Sequence, residues 1–181
     1  MPTVSQTIEA VSYVTGFPRS RVNQMARRLI DDGVWPKAHG RQIPEIEPDE
    51  TLRLIAAVAF ADRVADASKV ADQFAGLPLR ADPEMLEALP FLKNASDAMN
   101  GFGEALAGRD VCKQTVKLHM SMAGLPALEI QMLIKDQQLT LFYGDQASWG
   151  SLSRRTFELS ASAIHNLGNL LERPDQGLEF K

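Results

Sequence analysis

Arg19, Ser20, Asn23, Gln24 and Arg27 recur at helical spacing, while Val22, Met25 and Leu29 fall on the opposite side of the same turn pattern. An arginine fork matches the O6 and N7 acceptors of guanine, and the amides of Asn and Gln match the donor and acceptor of adenine. The chemistry open to these five residues is therefore hydrogen bonding to base edges, with no bond made or broken. Arg21 and Arg28 flank the set and are expected to reach phosphates, which position a protein on a duplex without reading it. The plain alternative is a helical hairpin with a solvated polar face.

The elements that must hold this face are legible upstream. Ser12 is small, so two helices can approach closely. Gly16 accepts the positive φ of a tight turn. Phe17 is expected to tuck under that turn, and Pro18 presets φ at the start of the second helix. A small residue, a glycine four positions later and Val22 six positions after that are the spacing of a helix-turn-helix. Downstream, Lys37-Ala38-His39-Gly40-Arg41-Gln42-Ile43 reads as a glycine-centred wing. Lys37, His39 and Arg41 there are placed to follow the minor groove or the backbone. A solvated loop is the alternative for each of them. Trp35 is expected as a core plug between wing and following helix.

The charge distribution agrees. Residues 19–42 carry six cations (Arg19, Arg21, Arg27, Arg28, Lys37, Arg41) against Asp31 and Asp32, while the whole chain of 181 residues has a net charge of −4. An acidic body with one basic segment suits a local nucleic-acid face.

Thr15-Gly16-Phe17-Pro18-Arg19-Ser20-Arg21-Val22, with Leu29 beyond, resembles the recognition segment of IclR-type winged-helix regulators. Asp32-Gly33-Val34-Trp35-Pro36-Lys37 stands where those proteins turn into the wing. The order of bihelix, wing and new helix is more similar to MerR-type regulators. The resemblance spans about residues 4 to 65 and departs from both types. No full helix precedes Ile8, and the aromatic and arginine wing signature of the MerR type is missing. The layout is also similar to small regulators from bacterial prophage regions. What the resemblance implies is sequence-specific binding of double-stranded DNA in transcription regulation.

The rest of the chain points to an α+β fold. Glu47-Pro48-Asp49-Glu50-Thr51 is a helix start, and Leu52, Ile55, Ala56, Ala59 and Val64 continue a helical stripe. Breaks are expected near Gly76, Pro83 and Pro90, with short helices from Pro83 and from Ala95 to Leu106. The period then changes to two. Val116, Leu118, Met120 and Met122 form one strand; Leu128, Ile130, Met132 and Ile134 a second; Leu139, Leu141 and Tyr143 a third; and Arg154 to Leu159 a fourth. Turns are expected at Gly124-Leu125-Pro126 and at Lys135-Asp136-Gln137-Gln138. This is an antiparallel meander, closed by a helix from Ser160 to Leu171. Three units follow: residues 1–66 as the winged helix-turn-helix, 67–110 as a helical connector, and 111–181 as an α+β module for dimerisation or partner binding.

Other chemistries lack their residues. His39, His119 and His165 have no metal-ligand partners at helical spacing, and Cys112 is alone. His119 falls on the polar side of its strand and is expected in solvent. Gly101-Phe102-Gly103-Glu104 has no strand before it, as a dinucleotide fingerprint would need. No catalytic residue, metal site or cofactor is assigned. Met120, Met122 and Met132 are expected as core filling. No apolar run approaches the length of a membrane span, and the first residues do not read as a signal peptide, so a cytoplasmic location is expected.

The expected partners are DNA, a second copy through residues 111–171 with Phe142 at the interface, and a component of the transcription machinery. Two other classes stay open. One is a phage-type DNA-packaging or replication accessory protein assembled as a ring. The other is a protein-interaction adaptor whose winged helix no longer meets DNA.

Overall fold

The structure is a computed structural model and describes residues 2–38, 40, 43–81, 87, 92–100, 117–123, 125–134, 137–144, 155–160, 162–164, 166 and 167. Helix α1 spans Val4–Thr15. Thr3 begins it with a capping box: the Gln6 N–H donates to Thr3 Oγ1, and the Thr3 N–H donates to Gln6 Oε1 at 2.8 Å. Gly16 ends it in the left-handed region at φ 71°, where its N–H donates to the Ser12 carbonyl. Helix α2 spans Arg19–Asp31 and buries Val22, Met25, Ala26 and Leu29, a single i, i+3, i+4, i+7 stripe. Its end folds back, with the N–H groups of Val34 and Trp35 both donating to the Leu29 carbonyl.

Helix α3, Pro48–Phe60, is the centre of the helical layer and buries residues on nearly every side. Its run of Ala56-Ala57-Val58 lets neighbouring helices pack against it closely. Trp35 is buried as expected, and its indole N–H donates to the Glu50 carbonyl at 3.0 Å. The helical stripe stops earlier than its sequence suggests. Ala61 is extended at ψ 122°, and a single 3-10 turn at Val64–Asp66 leads into α4, Ala67–Ala75. Phe60 and Phe74 stack with centroids 5.0 Å apart and join α3 to α4. Residues 95–100 are helical, as expected for the start of the segment from Ala95; of the helix expected from Pro83, Glu87 is among the described residues and is helical.

Four antiparallel strands follow: β1 Lys117–Ala123, β2 Leu125–Ile134, β3 Gln137–Gly144 and β4 Arg155–Leu159. Their order is β3-β2-β1-β4. The chain is therefore mixed helix and antiparallel sheet, an α+β fold. Both hairpin turns are tighter than expected. Leu125 already pairs with Ala123, and Gln137 already pairs with Ile134. Leu118, Met120, Leu128, Ile130, Leu141, Tyr143 and Leu159 are buried on one face. One hydrophobic core takes in Ile8 on α1, Phe60 on α3, Met120 on β1 and Leu167 beyond β4. Ser160 begins the closing helix, accepting from the Ala163 N–H at 3.3 Å, and residues 162–164 are helical.

The outer edge of β3 is covered by the chain itself. Leu79 bridges Tyr143, the Arg80 N–H donates to the Phe142 carbonyl at 2.7 Å, and the Gly144 N–H donates to the Pro78 carbonyl at 3.0 Å. Residues 77–80 thus act as a short strand beside β3, where the sequence suggested only a break after α4. Phe142 is half-buried opposite Glu129. The backbone at this end of β3 is already paired, so no open strand edge stands beside Phe142.

Candidate nucleic-acid interface

Two short helices and a three-residue turn build the surface. Ser12 does more than make room: its hydroxyl donates to the Phe17 carbonyl at 2.8 Å across the turn. Thr15 Oγ1 donates to the Val11 carbonyl and accepts from the Phe17 N–H. These bonds tie the Phe17 N–H and carbonyl, in the turn, back to the last turn of α1. Gly16 has open space where a side chain would stand, so its positive φ is the reason for glycine there.

With its apolar stripe buried, α2 turns Arg19, Ser20, Gln24 and Arg27 to the exterior, and Asn23 is half-buried beside them. These are the five residues singled out for base edges, and they share one side of the helix. A cleft of about 730 Å³ opens next to the start of α2, between Thr3 and Ser5 at the start of α1, Arg19 and Asn23 on α2, and Ile43. Ile43 is 68 % exposed at its rim.

The flanking cations are placed differently from the sequence expectation. Arg21 turns inward. Its Nη2 donates to the Val58 and Ala61 carbonyls at 3.0 and 2.8 Å, and its Nε donates to Val58 at 3.2 Å. The guanidinium also lies 5.9 Å from the Phe17 ring centroid. Arg21 thus caps the carbonyl end of α3, where a cation is favoured by the helix dipole, and its Nε and Nη2 donors are turned to that end. Arg28 is paired with Asp32 one turn on, at 2.9 Å, which partly neutralises it.

Lys37 is exposed, and Gly40 has φ 62° as a tight turn there requires. His39 and Arg41 lie outside the described residues. Among the described residues of 34–47, the strand-like pairing is Glu45 with Thr3, supported by the Ile46 N–H donating to the Pro2 carbonyl at 2.9 Å. The segment after α2 therefore returns along the start of α1.

On the sheet, His119 is not in open solvent. Its side chain is 18 % exposed and Nδ1 stands 3.8 Å from Glu129 Oε2. Among the described residues no group of three His, Cys, Asp or Glu side chains is arranged to hold a metal ion, and no helix is long and apolar enough to cross a membrane.

Sequence reasoning missed a contact behind the turn. Phe17 packs against Phe157 on β4, with centroids 6.0 Å apart. Arg155 on the same strand binds Asp62, just past α3, through both of its terminal nitrogens. The contacts join residues far apart in the chain, and no local pattern announces them. No family model, no curated protein and no solved structure matches the chain.

Proposed function

We propose that this protein is a sequence-specific DNA-binding transcription regulator that reads the major groove with α2. One observation carries the proposal: Arg19, Ser20, Asn23, Gln24 and Arg27 line the outer side of a helix whose inner side is wholly core, and a tight glycine turn joins that helix to α1. A helix held from behind with its polar groups facing out can enter a groove about 12 Å wide. Lys37 beside it, with His39 and Arg41 in the same basic segment, supplies backbone contacts, as a wing does. A bihelix reads only a few base pairs, so two copies acting together extend the site and raise affinity.

The direct experiment is to pass sheared genomic DNA over the purified protein and sequence what is retained. Fragments sharing one motif, with two half-sites related by a dyad, are the expected result. Retention without any shared motif favours the DNA-packaging or replication reading. No retention at low salt removes DNA from the function and leaves the adaptor reading.

A further inference from the structure

We infer that the sheet is a positioning element for α2: Arg21 and Phe157 set how the outer face of that helix is presented, without themselves touching its ligand. The inference rests on the DNA-reading proposal for what α2 meets, and on geometry alone for what holds α2.

Three contacts converge behind the turn. Arg21 leaves the first turn of α2 and spends three hydrogen bonds on the Val58 and Ala61 carbonyls. Its guanidinium faces Phe17, the residue that closes the turn between α1 and α2. Phe17 in turn rests on Phe157 of β4. The strand is tied back to the same place, because Arg155 pairs with Asp62 one residue after Ala61. The end of α3, the start of α2 and strand β4 thus form one closed set of contacts around Phe17 and Arg21.

The first turn of α2 carries Arg19 and Ser20, and Asn23 follows one turn on. A tilt of the helix about its start moves these groups relative to a base edge, and bidentate hydrogen bonds tolerate little displacement. The core stripe of Val22, Met25 and Leu29 resists translation of α2, yet that stripe is one narrow line of contact. Rotation about it is opposed by a lateral tie, and Arg21 is that tie. Arginine suits the role because its fork satisfies two carbonyls at once, which the single ammonium of lysine does not reproduce.

The test compares Arg21→Lys, Arg21→Gln and Phe157→Leu with the parent chain in two measurements. One is affinity for the selected DNA site as a function of salt. The other is hydrogen exchange of the α2 amides, with α4 amides as the internal reference for general loosening. Positioning predicts that all three variants lose affinity for the selected site, by roughly threefold to tenfold. It also predicts an unchanged salt slope and faster exchange in α2 with α4 unchanged.

A phosphate contact predicts otherwise: Arg21→Gln lowers the slope by about 0.9 and Arg21→Lys binds normally. That outcome overturns the inference, as does a Phe157→Leu protein with parental affinity and parental α2 exchange. Should the parent chain retain no duplex at all, the DNA reading fails separately. The exchange data then decide alone: selective loosening of α2 in Arg21→Lys and Phe157→Leu supports positioning, and its absence overturns it.

Discussion

Gly144 lies so close to Pro126 that a Cβ at position 144 would stand 2.6 Å from the Pro126 carbonyl oxygen. The same Cβ would meet Leu77 Cδ2 at 2.7 Å, and the backbone there has φ 80°. This glycine therefore closes β3 against both β2 and the 77–80 segment. Gly144→Ala combines left-handed strain with a backbone clash and is expected to cost about 2–4 kcal/mol. Thermal unfolding measures it. A melting temperature equal to the parent's would show that the 77–80 segment does not press on this edge.

Tyr143, the neighbouring residue, is buried, and its hydroxyl has no hydrogen-bond partner among the described residues. A buried hydroxyl left unpaired costs free energy that phenylalanine avoids. Tyr143→Phe is expected to be at least as stable as the parent, gaining up to about 1–2 kcal/mol. Burial, with Asp97 adding to it, pushes the phenol far above its ordinary value of 10.0. The unfolded chain ionises near that ordinary value while the folded chain holds its proton. Stability is thus lost as pH rises above it, and Tyr143→Phe removes that loss. Ultraviolet titration is expected to show Tyr143 ionising only as the protein unfolds.

Several elements were legible because one residue type was forced. Gly16 sits at a positive φ, and its spacing to Val22 marked the bihelix. The alternation of Leu118, Met120, Leu128, Ile130 and Leu141 marked the sheet and its buried face. The pairing of 77–80 with β3 was not legible, because it is made by backbone groups and leaves no pattern in side chains. The inward contacts of Arg21 were not legible, for a different reason. It lies four residues before Met25, at the margin of the buried stripe, and its partners Val58 and Ala61 are 37 and 40 positions away. The end of α3 at Ala61 carries no glycine or proline, so the apolar stripe seemed to run on to Val64.

Glu50 gives a second dependence on pH. Burial, partly countered by the Glu47 N–H that its carboxylate accepts at 2.7 Å, holds its pKa above the ordinary 4.5. The folded state then binds the proton more tightly than the unfolded chain. Its ionised form is a burden that is present above the folded pKa and disappears as pH falls below 4.5. Glu50→Gln keeps an acceptor for the Glu47 N–H and removes the charge. The variant is expected to be more stable than the parent at neutral pH, with the advantage vanishing under acid. A constant difference from pH 3 to about pH 8 would refute a titrating origin.

Reading and positioning separate most sharply between α2 and the basic segment after it. Asn23 and Arg27 are on the outer side of α2, one turn apart, so both can meet base edges in one groove. Asn23→Ala or Arg27→Ala is expected to cost about 1–3 kcal/mol on the selected site and to relax preference at one base position. Lys37 is exposed beyond the end of α2, and on the proposed DNA reading its point charge would meet phosphate and carry no base information. Lys37→Ala is expected to weaken binding to all duplexes alike and to lower the salt slope by about 0.9. Binding profiles over randomised sites, measured at several salt concentrations, distinguish the two behaviours. If Lys37→Ala changed the preferred sequence while Asn23→Ala and Arg27→Ala did not, α2 would not be the reading helix. The outward stripe would then be an ordinary solvated face.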